Sequence, residues 1–293
     1  MKMPNPQIVS VSVFCNANYR QKFMAECLKP YILMQKQNQK ITEAFIAFNY
    51  HQGSNIRVAL DFAIEESENS VNELQALFST YLKNNPSEPG DSNFIGNSLF
   101  MDFPNNSCQL DQFSISFNKH SVRLQLVLSR KILEIFSVSV CDDSSVFTFL
   151  LHVIIAFSKQ WGDLYKTDTH SEITQTLFEK CNAPSVSYLD EIFQPYHELF
   201  QDNRAMFMEI YEDVVSAPSI ENSWFDIKAA YLQYLQISPT VSELNTVLMP
   251  FDLAIANQLS LNDQSLLSIY YLIHLIYSTQ KFADYEHTIQ NSI

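Results

Sequence analysis

The sequence predicts an α+β fold, with an N-terminal β-α-β-β-α portion that carries a sheet and a mostly helical C-terminal portion packed on it. Three observations predict it. Residues 8–15 read IVSVSVFC, in which apolar side chains alternate with serine at the two-residue period of a half-buried strand. Residues 44–50 and 56–64 are two β-like runs on either side of His51-Gln52-Gly53-Ser54, a turn-forming tetrapeptide. From residue 173 onward, apolar residues recur only at helical spacing.

The other elements follow from the same periodicities. Residues 19–34 predict a helix, because Phe23, Met24, Cys27, Leu28, Tyr31 and Ile32 share a face, with Pro30 near its end. Residues 70–82 predict a second helix through Val71, Leu74, Leu77, Phe78 and Tyr81, and residues 84–91 (NNPSEPGD) predict a loop. Residues 99–117 have room for one or two more strands. Residues 122–140 fit a helix through Leu124, Val127, Leu128, Ile132, Ile135 and Phe136, although β-branched residues gather at the end. Residues 144–161 predict a helix capped by Asp142-Asp143-Ser144. The C-terminal helices are expected at 173–180, 188–200, 205–214, 224–235, 241–256 and 264–277, with breaks marked by Pro184, Pro218 and Pro239. No fixed-period repeat or long flexible linker interrupts them. Residues 1–293 therefore read as one domain, sheet-bearing over 1–118 and helical over 119–293, with a shared core.

Hydrophobic residues make up 46% of the chain and charged ones only 17%, a composition that builds a core and excludes a disordered protein. The net charge of −14 repels a phosphate backbone, so nucleic acid is not an expected partner. Cys15, Cys27, Cys108, Cys141 and Cys181 are odd in number and never spaced as CxxC, which predicts reduced, mostly buried thiols. Residues 1–6 hold no apolar targeting core, so a cytoplasmic location is expected. Two uncharged stretches approach the length of a membrane span. Residues 144–158 fall short of the ~20 needed, and residues 264–280 carry Gln, Ser, Tyr and His throughout; both predict buried helices and no membrane partner.

The four glycines cannot build GxGxxG, and the chain spells no P-loop, HExxH, GxSxG or paired CxxC. Nucleotide-driven and zinc-driven chemistries are thereby disfavoured. No metal site or cofactor is expected, and His170, near Glu172, is isolated in sequence. Two positions stand out. Arg57 interrupts the apolar run Ile56-Arg57-Val58-Ala59-Leu60 and shares a strand face with Ala59 and Asp61. It is either an arginine on a wet sheet face or a guanidinium fork for a carboxylate or peptide carbonyl. His274 lies among Tyr270, Tyr271, Tyr277 and Ser278, a polar stripe on an otherwise apolar helix. It is either a satisfied core histidine or a general acid/base, with tyrosine hydroxyls beside it as donors to a developing oxyanion.

These two segments also carry a resemblance. The stretch Phe45-Ile46-Ala47-Phe48-Asn49-Tyr50, followed by Gly53-Ser54-Asn55-Ile56-Arg57-Val58-Ala59-Leu60, resembles the pattern FFIRY…G-x-H-L-R-L-R-L of the lantibiotic-dehydratase C-terminal family, also called the thiopeptide-type bacteriocin biosynthesis domain. Residues 19–31 resemble its opening helix, and residues 122–151 its central helical segment, with Arg123 near a family arginine. His274-Leu275-Ile276-Tyr277-Ser278-Thr279 resembles its H-M-x-x-N-R. The resemblance implies cofactor-free β-elimination on a ribosomal peptide: glutamyl esters of Ser or Thr lose glutamate to give dehydroamino acids, while arginines hold the glutamyl group and a histidine moves the proton.

The chain departs from that pattern at three places. Asn55 stands where the family has histidine, Ala59 where it has a second arginine, and Ser278-Thr279 where it has Asn-Arg. With fewer groups to hold a glutamate, the resemblance points to the family's pyridine-synthase branch. Those enzymes join two dehydroalanines in a formal [4+2] cycloaddition and expel water and the leader peptide. On this reading His274, Tyr271 and Tyr277 are the catalytic candidates, and Arg57, Asn55, Arg123, Tyr270 and Ser278 the substrate-binding ones. The expected partner is a modified precursor peptide with its leader; other pathway enzymes and a second copy of the chain are further candidates. Glutamate elimination and non-catalytic leader binding at a sheet edge are the rival readings.

Overall fold

A computed structural model describes residues 7–50, 53–62, 67–88, 103–111, 122–165, 168–216 and 255–290. The fold is α+β, as the sequence predicts. The chain forms two compact units: Met1–Val146 with Gln258–Ser260, and Phe147–Asn257 with Leu261–Ile293.

The first unit is built on a four-stranded antiparallel sheet of order β2-β3-β1-β4, from β1 (Gln7–Phe14), β2 (Ile41–Asn49), β3 (Asn55–Phe62) and β4 (Ser107–Asp111). The register places Val11 opposite Val58, and Val58 opposite Ile46, so Val9, Val11 and Val13 share a face with Ile56, Val58, Leu60, Ile46 and Phe48. All are buried, as are Phe23, Leu28, Leu74 and Phe78 from the helices that pack on the sheet. The opposite face carries Ser10, Ser12, Phe45, Ala47, Arg57 and Ala59.

The expected opening helix is present but composite. A 3-10 turn (Ala17–Tyr19) leads into α1 (Arg20–Phe23), a π-turn (Met24–Leu28) and α2 (Lys29–Gln37), with Pro30 in the first turn of α2. One extra residue per turn in the π segment makes room for the proline, whose missing N–H and ring would otherwise break an α-helix there. The hairpin turn after β2 closes with Gly53 N–H donating to Tyr50 O, and Gly53 takes φ 111°, a value that excludes most side chains. Helices α3 (Ser67–Asn84) and α4 (Val122–Phe136) follow the predicted periodicities. The β-branched tail 137–140 is a turn rather than helix.

Strand β2 is an edge of the sheet, and the backbone of Ile46 at its middle is paired by side chains. Ser129 Oγ, on α4, accepts from Ile46 N (3.0 Å), and Gln258 Nε2 donates to Ile46 O (2.9 Å), Ser129 Oγ (2.9 Å) and Gln125 O (3.1 Å). Covering an edge in this way removes a template for strand addition. Replacing Gln258 with leucine leaves the buried Ile46 carbonyl only the longer bond from Ser129 Oγ (3.4 Å), and we expect denaturant unfolding to report a loss of about 1–3 kcal/mol.

The second unit is helical: α5 (Asp143–Tyr165, from Phe147 on), α6 (Thr169–Cys181), α7 (Val186–Ile192), α8 (Gln194–Asp202), α9 (Arg204–Ser216) and α10 (Asp263–Gln290). Asp142 caps α5 by accepting from Ser145 N (2.7 Å), and these amides hold its carboxyl below the usual range. The single helix expected over 188–200 is two helices. The chain bends at Phe193 (φ −103°, ψ 25°), and Pro195 sits in the first turn of α8, where its missing N–H costs nothing. The segment expected at 224–235 and all of that at 241–256 but its last two residues, which are helical, lie outside the described residues, as do Pro218 and Pro239. Among the described residues no helix is long and apolar enough to cross a membrane.

Candidate functional site

A buried polar cluster in the second unit is organised by α10. Asn262 caps this helix by accepting from Ser265 N (2.9 Å). Leu266, Ile269, Leu272, Ile273 and Ile276 are fully buried, so the helix is enclosed on most of its circumference. Polar groups on such a helix must find partners within the protein. The predicted stripe of Tyr271, His274, Tyr277 and Ser278 does so through residues from four other helices.

His274 is 6% exposed. Its Nδ1 lies 2.8 Å from Thr174 Oγ1 and 3.2 Å from His170 Nε2, both on α6. The two imidazoles stack with centroids 5.1 Å apart and planes at 17°. Thr174 Oγ1 also donates to His170 O (2.7 Å), and Ser278 Oγ lies 3.2 Å from His170 Nε2. The contacts are consistent if His274 carries its proton on Nδ1 and His170 accepts at Nε2. Burial, with His170 adding to it, lowers the His274 pKa to about 4; Asp190 opposes this weakly. The ring is therefore neutral at pH 7, in the form that can take up a proton, while burial makes it a weaker base than a free imidazole. Tyr277 packs against His170 (6.0 Å between centroids) and edge-on against Tyr211 of α9 (5.5 Å).

Tyr271 is fully buried and sits one helical turn before His274, its ring centroid 6.4 Å from the imidazole. Its hydroxyl donates to Asp190 Oδ1 on α7 (2.6 Å), and His197 Nδ1 on α8 lies 2.7 Å from the Tyr271 hydroxyl oxygen. Burial, then the bond to Asp190 and its charge, push the Tyr271 pKa above the ordinary phenol range. Its hydroxyl is thus occupied on both sides. Tyr270 is buried on the same helix.

The binding candidates of the first unit are placed separately. Arg57 is half-buried on β3, in register with Ser12 on one side and Ala47 on the other. The face is not a wet one: Ser10, Ser12, Ala47 and Ala59 are all buried, and Leu126 of α4 packs on the Phe45, Ala47 and Ala59 cluster. Asn55 is buried and its Nδ2 donates to Gly53 O (2.8 Å), fastening the hairpin turn. Arg123 lies in the first turn of α4, and its side chain is outside the described residues.

Sequence reasoning passed over Thr174, Asp190 and His197, and set His170 aside as isolated. The spacing of His170 with Thr174 on α6, and of His197 with Gln201 on α8, was a readable signal that each helix presents a polar pair. Their convergence on α10, from 74 to 108 residues away, was not readable. Cys15, Cys27, Cys108 and Cys141 are buried free thiols pushed by burial up to about 12, which removes them as nucleophiles; Cys181 is half-buried and raised for the same reason. Among the described residues no group of three or more His, Cys, Asp or Glu is placed to hold a metal ion.

No protein-family model matches the sequence, and no curated protein matches it. Solved structures do. The pyridine synthase TbtD from thiomuracin biosynthesis superposes with a TM-score of 0.64 over 92% of this chain and 97% of its own, at 12% identity. The tRNA-dependent lantibiotic dehydratase MibB from Microbispora sp. 107891 matches 94% of this chain at a TM-score of 0.58 and 9% identity, and the match spans 28% of that longer protein. TsrL matches with a TM-score of 0.55 over 94% of this chain and 96% of its own, at 8% identity. The chain therefore has the fold of TbtD, of TsrL and of a part of the dehydratase MibB, which is the fold its two short motifs resemble.

Proposed function

We propose that the chain matures a ribosomally made peptide, and that its reaction is the formal [4+2] joining of two dehydroalanines into a pyridine-centred macrocycle. The observation that carries this is the match to a pyridine synthase over nearly the full length of both chains. Fold alone does not set chemistry, so the residues must suit the reaction. One dehydroalanine reacts as a 2-azadiene once its preceding amide has passed to the iminol form. Its terminal carbon bonds to the terminal carbon of the second alkene, and the iminol carbon bonds to the other alkene carbon. Loss of water and of the leader-peptide amide then makes the ring aromatic.

Such a reaction asks for positioning and proton transfer, and for no redox partner. The buried, neutral His274 suits acceptance of the amide N–H proton. Tyr277 and Ser278, both half-buried on the same helix, supply donors beside it. Arg57 offers a fork to peptide carbonyls of the substrate or its leader. Among the described residues its neighbours in register on this face are Ser12 and Ala47, with Ala59 and Phe45 beside them, and no second arginine stands there to help grip a glutamyl carboxylate.

The likeness to MibB favours a second reading, glutamate elimination from glutamylated Ser or Thr. One experiment separates the two. The purified protein is given a synthetic, multiply dehydrated linear peptide with its leader, or a glutamylated peptide, and products are followed by mass spectrometry. We expect macrocycle plus free leader from the first and no glutamate from the second, and His274→Ala to slow conversion by about 100-fold or more. Glutamate release with no macrocycle would transfer the assignment to the elimination reading. Leader binding without conversion of either peptide would reject both.

A further inference from the structure

Two neutral histidines that share a hydrogen bond can run it in either direction, and only one direction leaves the right nitrogen free to act. We propose that Thr174 sets that direction for His170 and His274. It holds His274 as the Nδ1–H tautomer, so that Nε2 is its basic nitrogen; the use of that nitrogen rests on the cycloaddition reading.

A neutral imidazole carries one N–H and one lone pair, on different nitrogens. His274 Nδ1 and His170 Nε2 stand 3.2 Å apart, a bond that either ring could donate. Ser278 Oγ, 3.2 Å from His170 Nε2, does not choose between them, because a hydroxyl can donate or accept. Thr174 does choose. Its Oγ1 lies 2.7 Å from the His170 carbonyl oxygen, which can only accept, so the one hydroxyl hydrogen is spent there. Toward His274 Nδ1, at 2.8 Å, Oγ1 has lone pairs alone to offer. That nitrogen must therefore carry the proton, and His170 Nε2 must be the acceptor. The reverse arrangement sets two lone pairs against each other across the same 2.8 Å.

The arrangement follows from helix geometry. Thr174 stands four residues after His170 on α6, the spacing at which a threonine hydroxyl bonds the carbonyl one turn back. A peptide carbonyl does not titrate, so the hydroxyl keeps its direction whatever the state of the two rings. His274 Nε2 has no hydrogen-bond partner among the described residues. Its lone pair is the one the reaction can use. In the iminol step the amide N–H bond breaks as an Nε2–H bond forms, and the same proton then passes to the amide oxygen. His274 returns to neutral with Nδ1–H still donated to Thr174. While the ring is charged, that bond is charge-assisted and stronger, so Thr174 also steadies the protonated form. The opposite tautomer has its lone pair turned into the cluster and cannot take the amide proton. Thr174 acts through His274 and is a positioning residue.

The test reads the tautomer and the reaction separately. Nitrogen-15 NMR of labelled histidine, with His274→Gln to identify the signals, is run on the unaltered protein, on Thr174→Val and on Thr174→Ser. We expect neutral His274 to be Nδ1–H in the unaltered protein and in Thr174→Ser. In Thr174→Val, which keeps the shape and loses the hydroxyl, we expect it to be mainly Nε2–H. Conversion of the dehydrated, leader-bearing peptide should fall in Thr174→Val by the factor lost from the Nδ1–H population, about tenfold in kcat with KM unchanged, and recover in Thr174→Ser. An Nε2–H tautomer in the unaltered protein overturns the inference and leaves the cycloaddition reading standing. So does a Thr174→Val protein whose tautomer changes while its kcat does not. No conversion by the unaltered protein removes the cycloaddition reading and, with it, the role given to Thr174.

Discussion

Substituting Arg20 by alanine is expected to lower the unfolding free energy by about 3 kcal/mol, while methionine at the same position keeps at least half of that. Arg20 is 1% exposed, among the largest fully buried side chains of the molecule. Its guanidinium lies 4.7 Å over the Phe48 ring and 4.8 Å over that of Tyr50, and Nη2 donates to Ser54 Oγ (3.1 Å). Among the described residues no carboxylate pairs with it directly. Asp143 reaches it only through Tyr50, whose hydroxyl donates to Asp143 and whose pKa burial raises to about 12 against the lowering effect of Arg20. Contacts of a cation with two desolvated ring faces stabilise strongly. Burying a charge with no ion-pair partner costs much of that gain. What remains is the volume of the side chain between two rings, which methionine fills and alanine leaves empty. Urea unfolding of the three proteins decides it: methionine as damaging as alanine would show that the charge, not the packing, holds this corner.

Acidification is expected to weaken the protein through His274. Its folded pKa of about 4 lies below the ordinary 6.5, so the unfolded chain binds the proton more readily than the folded one. The stability tied to its neutral form is fully present above pH 6.5. It is lost progressively as pH falls through about 4, to a total of about 3 kcal/mol. His274→Gln has no such proton to bind. The unaltered protein should therefore lose stability between pH 6.5 and 4 more steeply than His274→Gln in parallel denaturant titrations. Parallel pH dependences in the two proteins would show that the imidazole is not held neutral by its surroundings.

Local chemistry made most of the fold readable. The Val–Ser alternation of β1, the paired runs of β2 and β3 and the stripes of α3 and α4 each state their own period. The one helix read as continuous that is not, over 188–200, shows that a proline's effect depends on where in a turn it falls. Pro30 is tolerated because a π-turn precedes it, and Pro195 starts a new helix two residues after Phe193. The site was half readable. The stripe on α10 was visible because Tyr271, His274, Tyr277 and Ser278 belong to one helix. Its partners belong to α6, α7, α8 and α9, and nothing in their local periods says that they meet. The burial of Arg20 is legible in the sequence, because it lies at helical spacing with Phe23, Met24, Cys27 and Tyr31, on the stripe that becomes buried.

The closure of the β2 edge has a consequence for how the molecule is made. The Ile46 carbonyl waits for Gln258, a residue 212 positions further along. At ordinary elongation speeds the ribosome takes about 10–40 s to cover that distance. Throughout that interval the Ile46 carbonyl lacks its Gln258 partner, and the β2 edge can be extended by a neighbouring polysome chain. Messages truncated before this codon should therefore yield aggregates rather than a soluble N-terminal fragment, and holdase chaperones should be found on the partly synthesised protein.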